Sequence, residues 1–208
     1  MRRSAPGAVG SRVMAMTTVD QILTDIVRRE GGLVDHPADP GGITNHGISL
    51  CYAKGIGLDL DGDGDTDADD IRRVTPAEAV ERFREDFYLS PRIHTLPAAL
   101  QPVLVDWAVN SGSAPPILAL QRALNQVVAT AADLFPGLEA ITEDGRIGPR
   151  TRARAQAVLD QVPAAVIVNE ICDARVRFYR ALAGARPSQR VFLRGWLARA
   201  NAFREVVR

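Results

Sequence analysis

Seven aspartates within twelve residues form the densest group of potential metal ligands in this 208-residue chain. Counted from its first aspartate, segment 59–70 has aspartate at positions 1, 3, 5, 7, 9 and 12 and glycine at position 6: Asp59, Asp61, Asp63, Asp65, Asp67, Asp70 and Gly64. Calcium takes about six to eight oxygen ligands, and this spacing wraps carboxylates around one point while the glycine takes a sharp turn. The segment predicts one structural calcium loop, and the alternative is a solvated acidic loop.

A second group has the residue types needed to hydrolyse a glycosidic bond. Glu30 precedes Gly31-Gly32, Asp39 follows nine residues after Glu30, and Thr44 follows five residues after Asp39. The reaction needs one protonated carboxyl to donate to the leaving oxygen and a second to activate water or take the new bond. A glutamate at a helix end near apolar residues suits the acid, and Thr44 suits holding the water. By spacing alone, an ordinary last-turn glutamate is an equal alternative.

The bulk composition excludes several classes of partner. The 25 basic residues balance the 25 acidic residues, so no overall field recruits nucleic acid or a membrane surface. No stretch approaches the length needed to cross a bilayer, and residues 1–16 lack an apolar run long enough for a signal peptide. We expect an extension at 1–16 that is disordered, synthesis in the cytoplasm, no stable membrane association and a monomer.

Helical periodicity dominates the elements that must position these residues. Capping boxes at Thr18 and Thr75 each begin an amphipathic helix, and the first should end near Arg29, before the two glycines. Further helices are predicted at 100–109, 115–127, 151–159, 164–182 and 189–202. Strand signals are short and occur at 42–48 and 139–147, and residues 129–149 are predicted to form a loop or a short hairpin. The pattern predicts a mainly α fold with a minor β element.

Several motifs together resemble the family 108 glycoside hydrolases, which are peptidoglycan-cleaving N-acetylmuramidases. The segments that carry this resemblance are Arg29-Glu30-Gly31-Gly32, Asp39-Pro40-Gly41-Gly42-Ile43-Thr44-Asn45-His46-Gly47-Ile48, Asp106-Trp107-Ala108-Val109-Asn110-Ser111-Gly112, Gln121-Arg122-Ala123-Leu124-Asn125, Asp144-Gly145-Arg146-Ile147-Gly148-Pro149-Arg150-Thr151 and Gly195-Trp196-Leu197-Ala198-Arg199. They occur in the family's order over about 19–199, which is more specific than any single motif.

The resemblance implies a lysozyme-like catalytic region at 17–112, with the calcium loop as an insertion, and a helical peptidoglycan-binding region at 113–208 packed against it. Glu30 falls on the family's catalytic acid. The order Glu30, Asp39, Thr44 also resembles phage-type lysozymes, and Asp35 is a rival to Asp39 for the second carboxylate. No cofactor is implied for catalysis.

Three further residues are predicted to line the substrate cleft. His46 lies beside Gly47, where it is placed to bind sugar hydroxyls or an acetamido group. Asp106 and Asn110 lie one helical turn apart and therefore project from one face of their helix. A structural role is the alternative for all three residues.

The resemblance implies cleavage of the β-1,4 bond between N-acetylmuramic acid and N-acetylglucosamine. It implies bacterial cell-wall peptidoglycan as the partner and action in the periplasm or cell wall after a holin-like release, in a phage or prophage setting. The alternative of a different class is a non-catalytic, calcium-stabilised peptidoglycan-binding or assembly module. Turnover distinguishes these two hypotheses, because both predict binding to the wall.

Overall fold

A computed structural model describes residues 18–35 and 42–204 of the chain. The predicted extension at 1–16 and the candidate carboxylate Asp39 lie outside these residues. In the described residues the fold is mostly helical with one small two-stranded sheet, which confirms the predicted fold class at that level. None of the described helices is long and apolar enough to cross a membrane.

The α-helices of the described residues begin and end as follows: α1 Val19–Glu30, α2 Leu50–Ile56, α3 Ala68–Arg73, α4 Pro76–Arg84, α5 Gln101–Ser111, α6 Ala114–Thr130, α7 Pro149–Leu159, α8 Ala164–Ala185 and α9 Leu193–Asn201. The strands are β1 Thr44–Asn45 and β2 Ile48–Ser49. A π-helical turn, Glu85–Leu89, continues α4, and 3-10 turns occupy Ile93–Thr95, Ala98–Leu100, Ala132–Leu134 and Pro187–Phe192.

Both predicted capping boxes are confirmed. At the start of α1 the Thr18 hydroxyl accepts from the Gln21 backbone N–H, and the Gln21 side chain accepts from the Thr18 backbone N–H. Thr75 and Glu78 make the same reciprocal pair at the start of α4. These local bonds satisfy N–H groups that a helix start leaves unpaired, so the sequence sets both helix starts.

The core joins the two halves of the chain. On the N-terminal side α1 packs against α4 and α5, and α5 then packs against α6 and α8. The central helix α5 is buried along most of its length, with Val103, Leu104, Val105 and Trp107 at 2 % exposure or less. Because α5 contacts both halves, its side chains link the N-terminal elements to the C-terminal ones.

Of the two structures predicted for 129–149, the loop is confirmed over 139–147 and the strand is not, because this segment is irregular and pairs with side chains instead of a neighbouring strand. Asn125 on α6 donates to the Ile141 carbonyl and accepts from the Ile141 N–H, each at 2.9 Å. Gln121, fully buried one turn earlier, accepts from the Gly145 N–H at 2.9 Å and donates to the Arg146 carbonyl at 3.0 Å. Two amides of α6 therefore take the place of a partner strand.

Candidate functional site

Glu30 is the last residue of α1, and the buried face of that helix fixes its position. Ile22, Leu23, Ile26 and Val27 pack into the core along this face. Gly31 then takes a φ of 77°, a conformation that suits glycine, and ends the helix. The Glu30 side chain is exposed at this end, where a ligand can reach it.

A tight hairpin faces this helix end. Asn45 pairs with Ile48 in the antiparallel strands β1 and β2, and the two residues between them, His46 and Gly47, both have positive φ, 51° and 84°. Positive φ at both central residues is the pattern of a type I′ turn, which matches the twist of the flanking strands. The strand predicted near this segment is confirmed, and His46 lies at the hairpin tip.

The hairpin is anchored on both of its sides. Val34 exchanges two backbone hydrogen bonds of 2.8 Å with Thr44, so the chain leaving α1 runs antiparallel to β1. The buried Asn45 side chain donates to the carbonyls of Ile71 and Val74 at 3.0 Å each. These bonds hold the hairpin between the end of α1 and the segment that joins α3 to α4.

Gly47 is in close contact with the catalytic candidate. A Cβ placed on Gly47 would lie 3.2 Å from Cγ of Glu30 and 3.0 Å from Cζ of Phe83, a buried residue of α4. The absence of a side chain at this position therefore lets the hairpin approach Glu30. The same hairpin carries Thr44 and His46, so the structure brings Glu30, Thr44 and His46 to one region.

Thr44 keeps its hydroxyl near the backbone of its own loop. The Thr44 hydroxyl donates to the Gly42 carbonyl at 3.3 Å, and the side chain is half-buried. Asp35, the rival second carboxylate, is exposed and directly follows the Val34 bridge. Thr44 thus pairs with the residue that directly precedes Asp35.

Asp106 lies in a buried ion-pair cluster and not on a cleft surface, which corrects the predicted contact with substrate. Its side chain is 6 % exposed and pairs with Arg175 at 2.7 Å and with Arg199 at 2.7 Å. The Arg199 Nε also donates to both Asp106 oxygens, at 3.0 and 2.9 Å. Both carboxylate oxygens are therefore occupied by arginine.

Asn110 keeps access to solvent at the C-terminal end of α5. It is exposed, and its amide donates to the Asp106 backbone carbonyl at 2.9 Å. The two residues project from one face of α5 as the sequence predicts, yet only Asn110 reaches the surface. Asn110 is the member of the pair that stays available to a ligand.

Arg199 on α9 is the partly exposed arginine of this cluster. Burial opposes its charge, but the hydrogen bonds and the negative charge of Asp106 outweigh burial and raise the pKa of Arg199, with smaller contributions from Tyr179 and Glu30. Sequence reasoning assigned no role to Arg199 or Arg175. For Arg175, a signal was present: an arginine on the apolar face of a helix requires a buried partner.

The acidic loop connects α2 to α3, so the three elements form a helix–loop–helix. Six of its carboxylates fall into two groups, and within each group the oxygens lie within 4.8 Å of one another. Asp59, Asp61 and Asp63 form one group, and Asp65, Asp67 and Asp70 form the other. Asp70 is fully buried and accepts from the N–H groups of Leu60 and Asp67, at 2.6 and 2.7 Å. Asp59 accepts from the N–H groups of Gly62 and Gly64, which closes the first turn.

The charges within this loop are incompletely compensated. Partial burial, together with the carboxylates of Asp63 and Asp70, raises the pKa of Asp61, and one oxygen of Asp61 is buried without a hydrogen-bond partner. The carboxylate of Asp63 is the main cause of the raised pKa of Asp65. Arg73 lies 3.5 Å from Asp61 and is largely exposed, so it offsets only part of this repulsion. Clustered oxygens with surplus negative charge suit a hard cation.

A cavity of about 360 Å³ lies beside the hairpin but is separate from the catalytic candidates. Its lining combines four apolar residues with four charged residues of α4 and the π-helical turn: Glu78, Glu81, Arg82 and Glu85. Ile48 of β2 is its contact with the hairpin. Glu30, Thr44 and His46 are not among its lining residues.

Comparisons with known proteins match both halves of the chain. Residues 23–112 match the family model described as glycosyl hydrolase 108, and residues 115–201 match the model described as a predicted peptidoglycan domain. A solved structure, that of Brucella abortus SagA, is 27% identical in sequence with a TM-score of 0.57, over 89% of this chain and 95% of that one. None of the curated proteins compared with the chain matches it.

Proposed function

Because residues 23–112 form a glycosyl hydrolase 108 domain and residues 115–201 a predicted peptidoglycan domain, we propose that this protein is an N-acetylmuramidase. The two matches together support a peptidoglycan hydrolase. The bond that we assign to it is the β-1,4 linkage between N-acetylmuramic acid and N-acetylglucosamine. The contact of Glu30 with Gly47 carries the proposal, because it fixes an exposed carboxyl beside a hairpin with a hydroxyl and an imidazole.

Glu30 acts as the general acid. Its carboxyl proton passes to the bridging oxygen while the bond from that oxygen to the sugar carbon breaks, and the bonding electrons stay with the oxygen. Positive charge develops at the sugar carbon, and water supplies the hydroxyl that replaces the lost sugar. Glu30 is left as a carboxylate, which recovers a proton before the next turnover.

The second carboxylate stabilises the developing positive charge or activates the water. We assign this role to Asp39, with Asp35 as its rival, because both follow Glu30 on the segment that leads into the hairpin. Thr44 helps to position the water, and its hydroxyl, bonded to the Gly42 carbonyl, is oriented before substrate arrives. His46 at the hairpin tip and Asn110 at the end of α5 bind the glycan.

The acidic loop binds one calcium ion with a structural role. The ligand candidates are the six aspartates at positions 1, 3, 5, 7, 9 and 12 of the segment: Asp59, Asp61, Asp63, Asp65, Asp67 and Asp70. The surplus charge of the loop supports this assignment, as does the buried oxygen of Asp61 that has no partner. When bound, the cation would offset part of the negative charge of the loop that links α2 to α3.

Digestion of purified cell-wall sacculi tests the function. We expect soluble muropeptides with new reducing ends on N-acetylmuramic acid, identified by mass spectrometry. Glu30→Gln keeps the shape of the side chain but carries no acidic proton, so the rate should fall by about 100- to 10,000-fold. Glu139→Gln, an exposed glutamate in the C-terminal half, is the matched control and should keep the wild-type rate.

Three outcomes would contradict the proposal. Full activity in Glu30→Gln would refute the acid assignment. Binding of the wild-type protein to sacculi without any soluble product would favour the non-catalytic module. Reducing ends on N-acetylglucosamine would show that the enzyme cuts the other β-1,4 linkage of the glycan.

A further inference from the structure

Two neighbouring apolar side chains are exposed just before α9. Phe192, the last residue of the 3-10 turn Pro187–Phe192, is 57 % exposed, and Val191 before it is 78 % exposed. These are the two highest values among the large apolar side chains of the described residues. Apolar residues scattered singly over a surface need no explanation, whereas neighbouring ones form a patch, and such patches mark interaction sites.

A stack of aromatic rings holds Phe192 in place. Its ring centroid lies 5.9 Å from that of Trp196, with 31° between the ring planes. Trp196 stacks in turn on Tyr179, at 5.1 Å and 27°. Tyr179 is buried, and its hydroxyl accepts from Nε of Arg175 in the ion-pair cluster around Asp106. The stack therefore runs from the core to the surface and orients its outermost ring before any ligand arrives.

The chain around Phe192 is basic and contains no acid. Residues 174–204 hold eight arginines and no aspartate, glutamate or lysine. Three of these arginines pair with Asp106 or Asp173. The other five are exposed and make no ion pair within the described residues: Arg177, Arg180, Arg186, Arg190 and Arg194.

Arg190 and Arg194 lie close to Phe192. Each is two residues away from it along the chain, so the Cα atoms are separated by about 7 Å at most. The Arg190 Nε donates to the Ala183 carbonyl at 3.3 Å, which ties the turn to the end of α8. Arg194 is the second residue of α9, and its side chain is exposed. Two guanidinium groups therefore accompany the exposed ring.

A glycan strand that carries carboxylates fits this combination of groups. One face of a sugar ring presents C–H groups, which pack against an aromatic face by dispersion and by burial of apolar area. Guanidinium groups form charge-assisted hydrogen bonds with carboxylates. Peptidoglycan offers both, in its amino sugars and in the carboxylates of its peptide stems. Residues 115–201, which contain the ring stack and both arginines, match the predicted peptidoglycan domain.

We propose that Phe192, together with Arg190 and Arg194, forms a site in the C-terminal region that binds the peptide-bearing glycan strand of peptidoglycan. Phe192 stacks on a sugar ring, and the two arginines pair with carboxylates of the peptide stems. The inference rests on the proposed function for the identity of the polymer. The site contributes no group to the reaction. It holds the protein on the wall, which raises the effective concentration of glycan at the catalytic region.

Co-sedimentation with purified sacculi measures the affinity of this site, with Glu30→Gln as the parent protein to limit digestion. Phe192→Leu keeps an apolar side chain but removes the aromatic face, so the Kd for sacculi should rise by about 10-fold. Phe192→Tyr keeps the face and should bind like the parent. Leu134→Ala truncates a half-exposed apolar residue elsewhere in the C-terminal region, and this matched control should also bind like the parent.

The arginines are tested separately. Arg194→Gln removes one guanidinium group and should raise the Kd by about 2- to 5-fold at low salt. Added salt should reduce this difference, because it screens exposed charges. Arg150→Gln, an exposed arginine of α7, is the matched control and should leave the Kd unchanged. If Phe192→Leu does not fold, Arg194→Gln decides, and an unchanged Kd in that variant would overturn the proposal.

Three other results would overturn the proposal. The first is an unchanged Kd in folded Phe192→Leu. The second is binding of the wild type to phosphatidylglycerol vesicles that Phe192→Ser abolishes, since this would assign the patch to a membrane surface. The third is a dimer in analytical ultracentrifugation that Phe192→Ser dissociates, since this would assign the patch to a second copy of the chain.

A failure of this site is distinguishable from a failure of the proposed function. If the wild type releases no muropeptides but Phe192→Leu weakens binding to sacculi, the muramidase proposal falls and the binding site stands. If the wild type releases muropeptides and Phe192→Leu binds like its parent, only the binding site falls.

Discussion

Gly47 of the hairpin approaches Glu30 at the end of α1 so closely that a methyl group on Gly47 would lie 3.2 Å from Cγ of Glu30. Gly47 also has a φ of 84°, so the position requires glycine for two separate reasons. One is the backbone conformation of the turn, and the other is the space taken up by Glu30 and Phe83. These two reasons have different consequences for stability and for activity.

Gly47→Ala should therefore lose both stability and activity. Strain from the positive φ costs about 1–2 kcal/mol, and the crowded methyl group must displace Phe83 or Glu30. A misplacement of about 1 Å at a catalytic group can lower a rate about 100-fold, so we expect a loss of about 10- to 100-fold. Urea unfolding and the rate of muropeptide release measure the two effects.

The control for Gly47→Ala is Gly57→Ala. Gly57 ends α2 with a φ of 63°, and nothing lies within 4 Å of an added Cβ. This variant should lose stability through strain alone and keep its rate. Equal rate losses in the two variants would contradict the contact between Gly47 and Glu30 as the cause.

A second prediction concerns the stability of the buried ion-pair cluster. Asp106→Ala leaves Arg175, which is fully buried, without its carboxylate, and breaking a buried pair in this way costs about 3–5 kcal/mol. The free energy of unfolding in urea should fall by that amount. Asp20→Ala removes the partner of Arg84 at an exposed site and should cost no more than about 1 kcal/mol. Similar losses at both sites would show that the cluster is not buried in solution.

The third prediction tests the hydroxyl of Thr44. Thr44→Val keeps the branched shape suited to β1 but removes the group that would hold the attacking water, so the rate should fall by about 10- to 100-fold. Thr44→Ser keeps the hydroxyl and should keep most of the rate. Because both backbone bonds to Val34 persist, the melting temperatures of these variants should stay close to that of the wild type. A fully active Thr44→Val would remove Thr44 from the mechanism.

A fourth prediction separates the two candidates for the second carboxylate. Asp39→Asn and Asp35→Asn each remove one negative charge from the segment after α1 with little change in size. We expect the larger loss, about 100-fold or more, in Asp39→Asn, since loss of a positioned base or acid costs that much. Initial rates of reducing-end release compare the two. The reverse order would assign the role to Asp35, whose exposed carboxylate follows the Val34 bridge.

Local bonds explain which parts of the fold the sequence predicts. The Thr18 and Thr75 capping boxes involve residues three apart, so composition and spacing are enough to place the starts of α1 and α4. The segment 139–147 contains the turn pair Asp144-Gly145, but its backbone bonds go to Gln121 and Asn125 on α6. The local sequence pattern does not encode which groups will pair with the backbone N–H and C=O groups of an extended segment.

In the candidate site, too, contacts between residues close in sequence are predictable and contacts between distant residues are not. Glu30, Thr44 and His46 are close in sequence, and their motifs placed them in one region before the structure did. The pairs of Asp106 with Arg175 and Arg199 span 69 and 93 residues. One-turn spacing in α5 gave Asp106 and Asn110 a common face, but burial of the first depends on helices from the other half of the chain.

The last prediction concerns calcium and the pH dependence of stability. If the acidic loop binds calcium in the folded state, binding adds to stability, and a chelator should lower the melting temperature. Asp61→Asn should weaken this dependence on calcium, whereas Asp25→Asn, on the exposed face of α1, should preserve it. An unchanged melting temperature with chelator would remove calcium from the loop.

The pKa shifts of the metal-free loop make that test more specific. In the folded protein the pKa values of Asp61 and Asp65 are raised, by partial burial with neighbouring carboxylates and by the Asp63 carboxylate respectively. The folded state then holds more protons than the unfolded chain, so stability falls as pH rises through these raised values. Asp70 acts in the opposite direction: backbone N–H donors lower its pKa, and its contribution is lost as pH falls through that lowered value. In chelator, the melting temperature should therefore decline as the pH rises above the ordinary range of aspartate, and saturating calcium should remove this decline. A decline that persists in calcium would show that the repulsion within the loop is not relieved by the cation.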